Sequence, residues 1–185
     1  MKRVFISVEI PEDIRRNILK VQKEMDKLGL ISGKFTEFEN LHLTLKFLGE
    51  LSDVEIRAIQ EKLNSLEFEP FELTLNELGV FSEQFIRIIW VGVEKGEIFN
   101  LQRKVDDMLD NLFPSENRFM GHITVARVKK VEQKKMFLTE LKKIKFPKFK
   151  FKVDKVCLKE SKLSQFGAQY QTLLEIPAIK IPLTI

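Results

Sequence analysis

The stretch Leu41-His42-Leu43-Thr44-Leu45-Lys46-Phe47-Leu48 alternates apolar and polar residues from Leu41 through Phe47. That is the period of a half-buried β-strand, whose successive side chains point to opposite faces. His42, Thr44 and Lys46 then share one face, and Leu43 and Leu45 share the other. Eighty residues later, Gly121-His122-Ile123-Thr124-Val125-Ala126-Arg127 repeats the pattern, with His122 and Thr124 set against Ile123 and Val125. The chain has two histidines. With so few threonines, finding one at the second place after both is a roughly one-in-700 coincidence.

Similar elements lie around each copy. Before the first, Val4 to Val8 reads as a strand, and Pro11 opens a helix striped by Ile14, Ile18, Val21, Met25 and Leu28, ended by Gly29 or Gly33. After it, Ser52 or Asp53 caps a helix to about Leu66, and a strand begins at Phe71. The order recurs: a strand over Phe85–Val91, a helix over Ile98–Leu112, a strand over Phe119–Val128, a helix over Val131–Ile144 and a strand over Phe149–Leu158. A last strand spans Gln169–Ile176. Phe71 and Phe149 stand 78 apart, close to the histidine spacing. An internal duplication is the simplest account, with repeats of about 1–80 and 85–160 followed by a C-terminal strand. The two halves, packed as one domain over 1–185, would enclose a cleft. The apolar partners fill the core, leaving two imidazoles and two hydroxyls at one site.

The 185 residues are 44% hydrophobic and 31% charged, which suits a globular domain and excludes disordered and fibrous classes. One cysteine, Cys157, rules out a disulfide framework and reads as a core residue. No run reaches the ~18 apolar residues of a membrane span. The apolar run after Met1-Lys2-Arg3 contains Ser7 and stops at Glu9, too short for a signal peptide. A cytoplasmic monomer is the expectation. The net charge of +4 is compatible with an anionic ligand.

Two histidines without an adjacent carboxylate suit proton transfer better than metal binding, so no metal or cofactor is expected. One neutral imidazole can take a proton from water, and the other, as imidazolium, can give one to a leaving oxygen. Threonine hydroxyls can hold phosphate oxygens between them.

Paired His-x-Thr-x motifs about 80 residues apart resemble the signature of the 2H phosphoesterase superfamily. The flanks, from Phe5 to Pro11, Leu41 to Glu50 and Gly121 to Arg127, are similar to those of the bacterial and archaeal RNA 2′,3′-cyclic phosphodiesterases, first named 2′-5′ RNA ligases. The resemblance implies an α+β fold of two pseudosymmetric lobes, with mostly antiparallel sheets facing a central cleft and helices outside. It implies hydrolysis of RNA 2′,3′-cyclic phosphate ends, tRNA fragments among them, to 2′-phosphates. It implies His42 as proton donor, His122 as proton acceptor, and Thr44 and Thr124 as phosphate ligands. Strict alternation puts Arg127 opposite His122, so a bulge or strand end near Ala126 is needed to bring it to the phosphate. Lys46 needs none and is a second candidate for substrate binding. The alternating lysines Lys148, Lys150 and Lys152 read either as a protected edge strand or as an RNA track.

Competing readings are 2′-5′ ligation by the reverse transfer, a small cyclic-nucleotide phosphodiesterase, and a non-catalytic binder of RNA ends. No Lys-x-Asp-Gly or P-loop segment supports nucleotide-driven ligation.

Overall fold

The structure, a computed structural model, describes residues 1–165 and 167–179. Among them, nine strands and four α-helices run in the order β1 (Lys2–Glu9), α1 (Glu12–Leu28), β2 (Ile31–Phe35), β3 (His42–Leu51), α2 (Asp53–Leu63), β4 (Phe71–Val80), β5 (Ile88–Val93), α3 (Glu97–Met108), β6 (His122–Val131), α4 (Lys134–Lys143), β7 (Phe149–Val153), β8 (Lys155–Ser164) and β9 (Gly167–Pro177). A short 3₁₀ turn, Phe38–Asn40, precedes β3.

Local chemistry explains the helix limits. Pro11 precedes α1, Glu12 and Asp13 complement its N-terminal dipole, and Gly29 ends it at φ 62° in the left-handed region. Ile14, Ile18, Val21 and Met25 are its buried stripe. Ser52 and Glu55 form a reciprocal capping box on α2. α3 stops at Met108, short of Leu112, and buries Ile98, Leu101 and Val105.

All strand pairs are antiparallel, and the order β7-β4-β5-β6-β3-β1-β8-β9 makes one sheet, with β2 added against β6. The order is a palindrome in role. β3 and β6 meet at the centre through one pair, Leu43 opposite Ile123. Four strands lie on each side and form one lobe apiece. Each lobe borrows from the other half of the chain: β4 pairs with β5, and β8 pairs with β1. The lobes are therefore not the two sequence halves. The single strand expected over Phe149–Leu158 is broken at Asp154, and its pieces go to opposite lobes.

One deviation decides the site. Between Ile6/Lys46 and Ser7/Thr44 the β1–β3 register skips Leu45. Between Ile89/Ala126 and Trp90/Thr124 the β5–β6 register skips Val125. Each is a one-residue bulge, after which the side chains change face. Leu45 and Lys46 are both buried, as are Val125 and Ala126.

Candidate active site

A cleft of about 460 Å³ lies over the centre of the sheet. His42 and Thr44 line it from β3, and His122, Thr124 and Arg127 from β6. The two motifs read from the sequence thus face one cavity.

Both rings are held alike. His42 Nδ1 lies 2.6 Å from the Asn40 carbonyl oxygen, and His122 Nδ1 lies 2.7 Å from that of Met120. A carbonyl only accepts, so Nδ1 carries the hydrogen in both rings and Nε2 is left for chemistry. Nε2 of His42 is 2.9 Å from the Thr44 hydroxyl. The Asn40 side chain is itself tied, donating to Glu37 Oε2 and to the Ala168 carbonyl. Aromatic edges brace the rings: Tyr170 meets His42 at a centroid distance of 5.2 Å and 90°, and Phe81 meets His122 at 4.9 Å and 89°. Phe5 packs on the His42 ring at 4.9 Å.

Burial disfavours the charged imidazole at both places. It pushes His42 down to about 4, against the support of the Asn40 carbonyl. It also lowers His122, where the Arg127 charge acts in the same direction. Around neutral pH both rings are then neutral. An anion placed between them would raise both.

Arg127 reaches the cleft because of the bulge at Val125. Lys46 does not, and the same deviation in β3 is the reason. It is turned into the interior at 6% exposure, where its ammonium pairs with Asp106 of α3 and donates to the Pro114 carbonyl at 2.8 Å. The shared face expected for Lys46 with His42 and Thr44 is not formed. Phe47 takes the cleft position instead. The lysines of β7 lie at one edge of the sheet, where Lys150 pairs with Glu72 and Lys148, just before the strand, pairs with Glu94; they do not line the cleft.

Other cleft residues were not evident in the sequence. Arg3 and Lys34 add positive charge to its wall, and Tyr170 comes from the last strand. Tyr170 is the one tyrosine of the chain, and its composition was the only signal. Among the described residues, no three His, Cys, Asp or Glu side chains are grouped to hold a metal ion. No helix among them is long and apolar enough to cross a membrane.

An antiparallel α+β fold that brings one His-x-Thr strand from each repeat to a shared cleft is that of a two-histidine phosphoesterase. The LigT-like phosphoesterase family model matches the chain twice, over residues 8–90 and 91–168, and the chain belongs to that family. It is 33% identical over 177 residues to the RNA 2′,3′-cyclic phosphodiesterase of Methanocaldococcus jannaschii, covering 94% of this chain and 99% of that protein. It is 31% identical over 180 residues to the RNA 2′,3′-cyclic phosphodiesterase of Thermotoga maritima, covering 94% of each. Among solved structures, E. coli LigT complexed with 3′-AMP shares the fold at a TM-score of 0.78 and 22% identity, over 97% of this chain and 99% of that one.

Proposed function

We propose that this protein hydrolyses the 2′,3′-cyclic phosphate at an RNA 3′ end to a 2′-phosphate, by acid–base catalysis without a metal. The observation that carries the reading is the pair of imidazoles, each fixed through Nδ1 to a backbone carbonyl and each presenting Nε2 to one cleft. The relatives named RNA 2′,3′-cyclic phosphodiesterase supply the substrate class.

In the proposed step, His122 Nε2 takes a proton from water while the water oxygen bonds to phosphorus. The bond from phosphorus to the 3′-oxygen breaks. That oxygen receives the proton carried by His42 Nε2, leaving a 2′-phosphomonoester and a 3′-hydroxyl. Thr44 and Thr124 hold the non-bridging oxygens, and Arg127 balances the charge that gathers on them. With an RNA 5′-hydroxyl in place of water as the nucleophile, the same forward displacement of the 3′-oxygen would join ends through a 2′-5′ link.

The test is incubation with EDTA and an oligoribonucleotide ending in a 2′,3′-cyclic phosphate, with the product identified by phosphorus NMR. A 2′-phosphate supports the proposal. A 3′-phosphate reverses the leaving group, and activity that EDTA abolishes and one metal restores removes the metal-free mechanism.

A further inference from the structure

The two lobes differ most behind their histidines. Residues opposite each other on paired strands share a face. Glu9 stands opposite His42 on β1, and Gly92 stands opposite His122 on β5. The first lobe thus puts a carboxylate where the second has no side chain at all. Glu9 Oε2 accepts from Arg15 of α1 at 2.7 Å, and Glu9 Oε1 lies 2.5 Å from the ammonium of Lys159 on β8. Lys159 is 8% exposed. Arg15 also donates to the Ile10 carbonyl at 2.7 Å and reaches the carbonyls of Phe38 and Glu39 at 3.4 Å, in the turn that ends at Asn40. The Asn40 carbonyl is the one that holds His42 Nδ1. Lys159 is buried and the side chains of Glu9 and Arg15 are 25% and 15% exposed, so the three charges are largely withdrawn from water, which is costly in a small domain. The cluster ends on a single ring.

We propose that Glu9, Lys159 and Arg15 are positioning residues for His42, a charge cluster of net +1 that orients the ring through the Phe38–Asn40 turn and sets how readily it takes up the proton it delivers. The proposal rests on the reading of His42 as proton donor. The cluster acts by field and by geometry, touching neither water nor the phosphate. The remaining titratable groups around the ring are Tyr170, edge-on to it, and Arg3, Lys34, Glu37, Arg127 and His122, which line the same cleft. Lys159 and Arg15 both act against the imidazolium, and Glu9 acts for it. The charge acting on His122 is that of Arg127. The asymmetry gives two otherwise similar imidazoles different proton affinities.

The chain has two histidines, so a proton NMR titration of their ring signals reads both at once. Lys159→Met leaves the Glu9–Arg15 pair in place and removes one cation. The His42 midpoint should rise by about one pH unit, with His122 unmoved as internal control. Adding Glu9→Gln restores the net charge of +1, and the midpoint should fall back toward the wild-type value. A general loss of packing would move both signals, and would not reverse on the second substitution. The limb of kcat/KM that reports His42, the acid limb while its midpoint lies below that of His122, should move with the His42 midpoint in each variant. A His42 signal that ignores both variants overturns the proposal, as does equal movement of the two histidines. A moving His42 signal with a fixed rate limb overturns the donor role instead and leaves the electrostatic coupling standing. Should the double variant unfold, Lys159→Gln alone still has to raise the His42 midpoint.

Discussion

Phe47 and Arg127 occupy the same place in the two repeats. Each follows its histidine by five residues, and each is turned into the cleft by a one-residue bulge, at Leu45 or at Val125. One wall therefore presents a phenyl ring, 69% exposed, and the other a guanidinium. The site is symmetric in its imidazoles and asymmetric in charge. Arg127→Gln should lower kcat/KM for a cyclic phosphate about 10- to 100-fold, the loss of one charge-assisted hydrogen bond. Phe47→Ala should leave turnover of a mononucleotide 2′,3′-cyclic phosphate nearly unchanged. Steady-state kinetics on the two variants distinguishes the walls.

His42→Ala and His122→Ala should each reduce kcat by about 10²- to 10⁴-fold. Both rings line the cleft, so circular dichroism and the thermal midpoint should stay close to wild type. Near wild-type turnover in either variant would remove that histidine from the mechanism.

The pH dependence of turnover follows from burial. In the empty cleft both imidazoles lie below the ordinary 6.5, His42 at about 4. The profile of kcat/KM, which reports the free enzyme, should centre below pH 6.5. A bound phosphate diester favours imidazolium, so the profile of kcat should sit at higher pH. Coincident profiles would mean that the cleft anion does not reach the rings.

Stability should carry the same signature. Below about pH 6.5 the unfolded histidines bind protons that the folded ones resist. The stabilisation is complete above that value and is lost as pH falls toward 4. Glu9 and Asp106, whose carboxyls are held low by Lys159 and Lys46 against the opposing effect of burial, lose their share as pH falls further. Denaturant titrations from pH 7.5 to about 2.5 test this, and His42→Gln should flatten the upper part of the slope.

Lys46 should prove structural. Lys46→Met leaves the buried Asp106 carboxylate without its cation, held only by Gln102 and the Glu116 N–H, at a cost of about 3–5 kcal/mol. Lys46→Met with Asp106→Asn should recover part of that loss, since both charges leave together and the amide oxygen can still accept from Gln102 and the Glu116 N–H. Urea unfolding of the single and double variants measures it.

The site was legible where chemistry and period coincide. His42, Thr44, His122 and Thr124 share a face because Leu43, Leu45, Ile123 and Val125 demand the other, and strand alternation translates that directly. The period breaks at Leu45 and Val125, and nothing in a run of apolar residues marks which one will be skipped. Lys46 was misplaced and Arg127 left conditional for that one reason. β2 was missed because Ile31-Ser32-Gly33-Lys34-Phe35 is mostly exposed and is a strand only by virtue of β6 beside it. Asn40 and Met120 act through backbone carbonyls, which any residue supplies. The Asp154 break sends β7 and β8 to different lobes, a decision made by sheet partners far apart in the chain.

The exchange of β4 and β8 bears on how such a chain could be divided. Neither repeat contains all the strands of one lobe, so a fragment cut between them would expose the edge of β1 or of β5. Two copies of one repeat, trading that strand about a twofold axis, would close both edges and create a cleft with one histidine from each subunit. Covalent fusion of such a strand-swapped dimer yields the central order β4-β5-β6-β3-β1-β8, and it frees each former subunit to diverge, one toward Glu9 and the other toward Arg127.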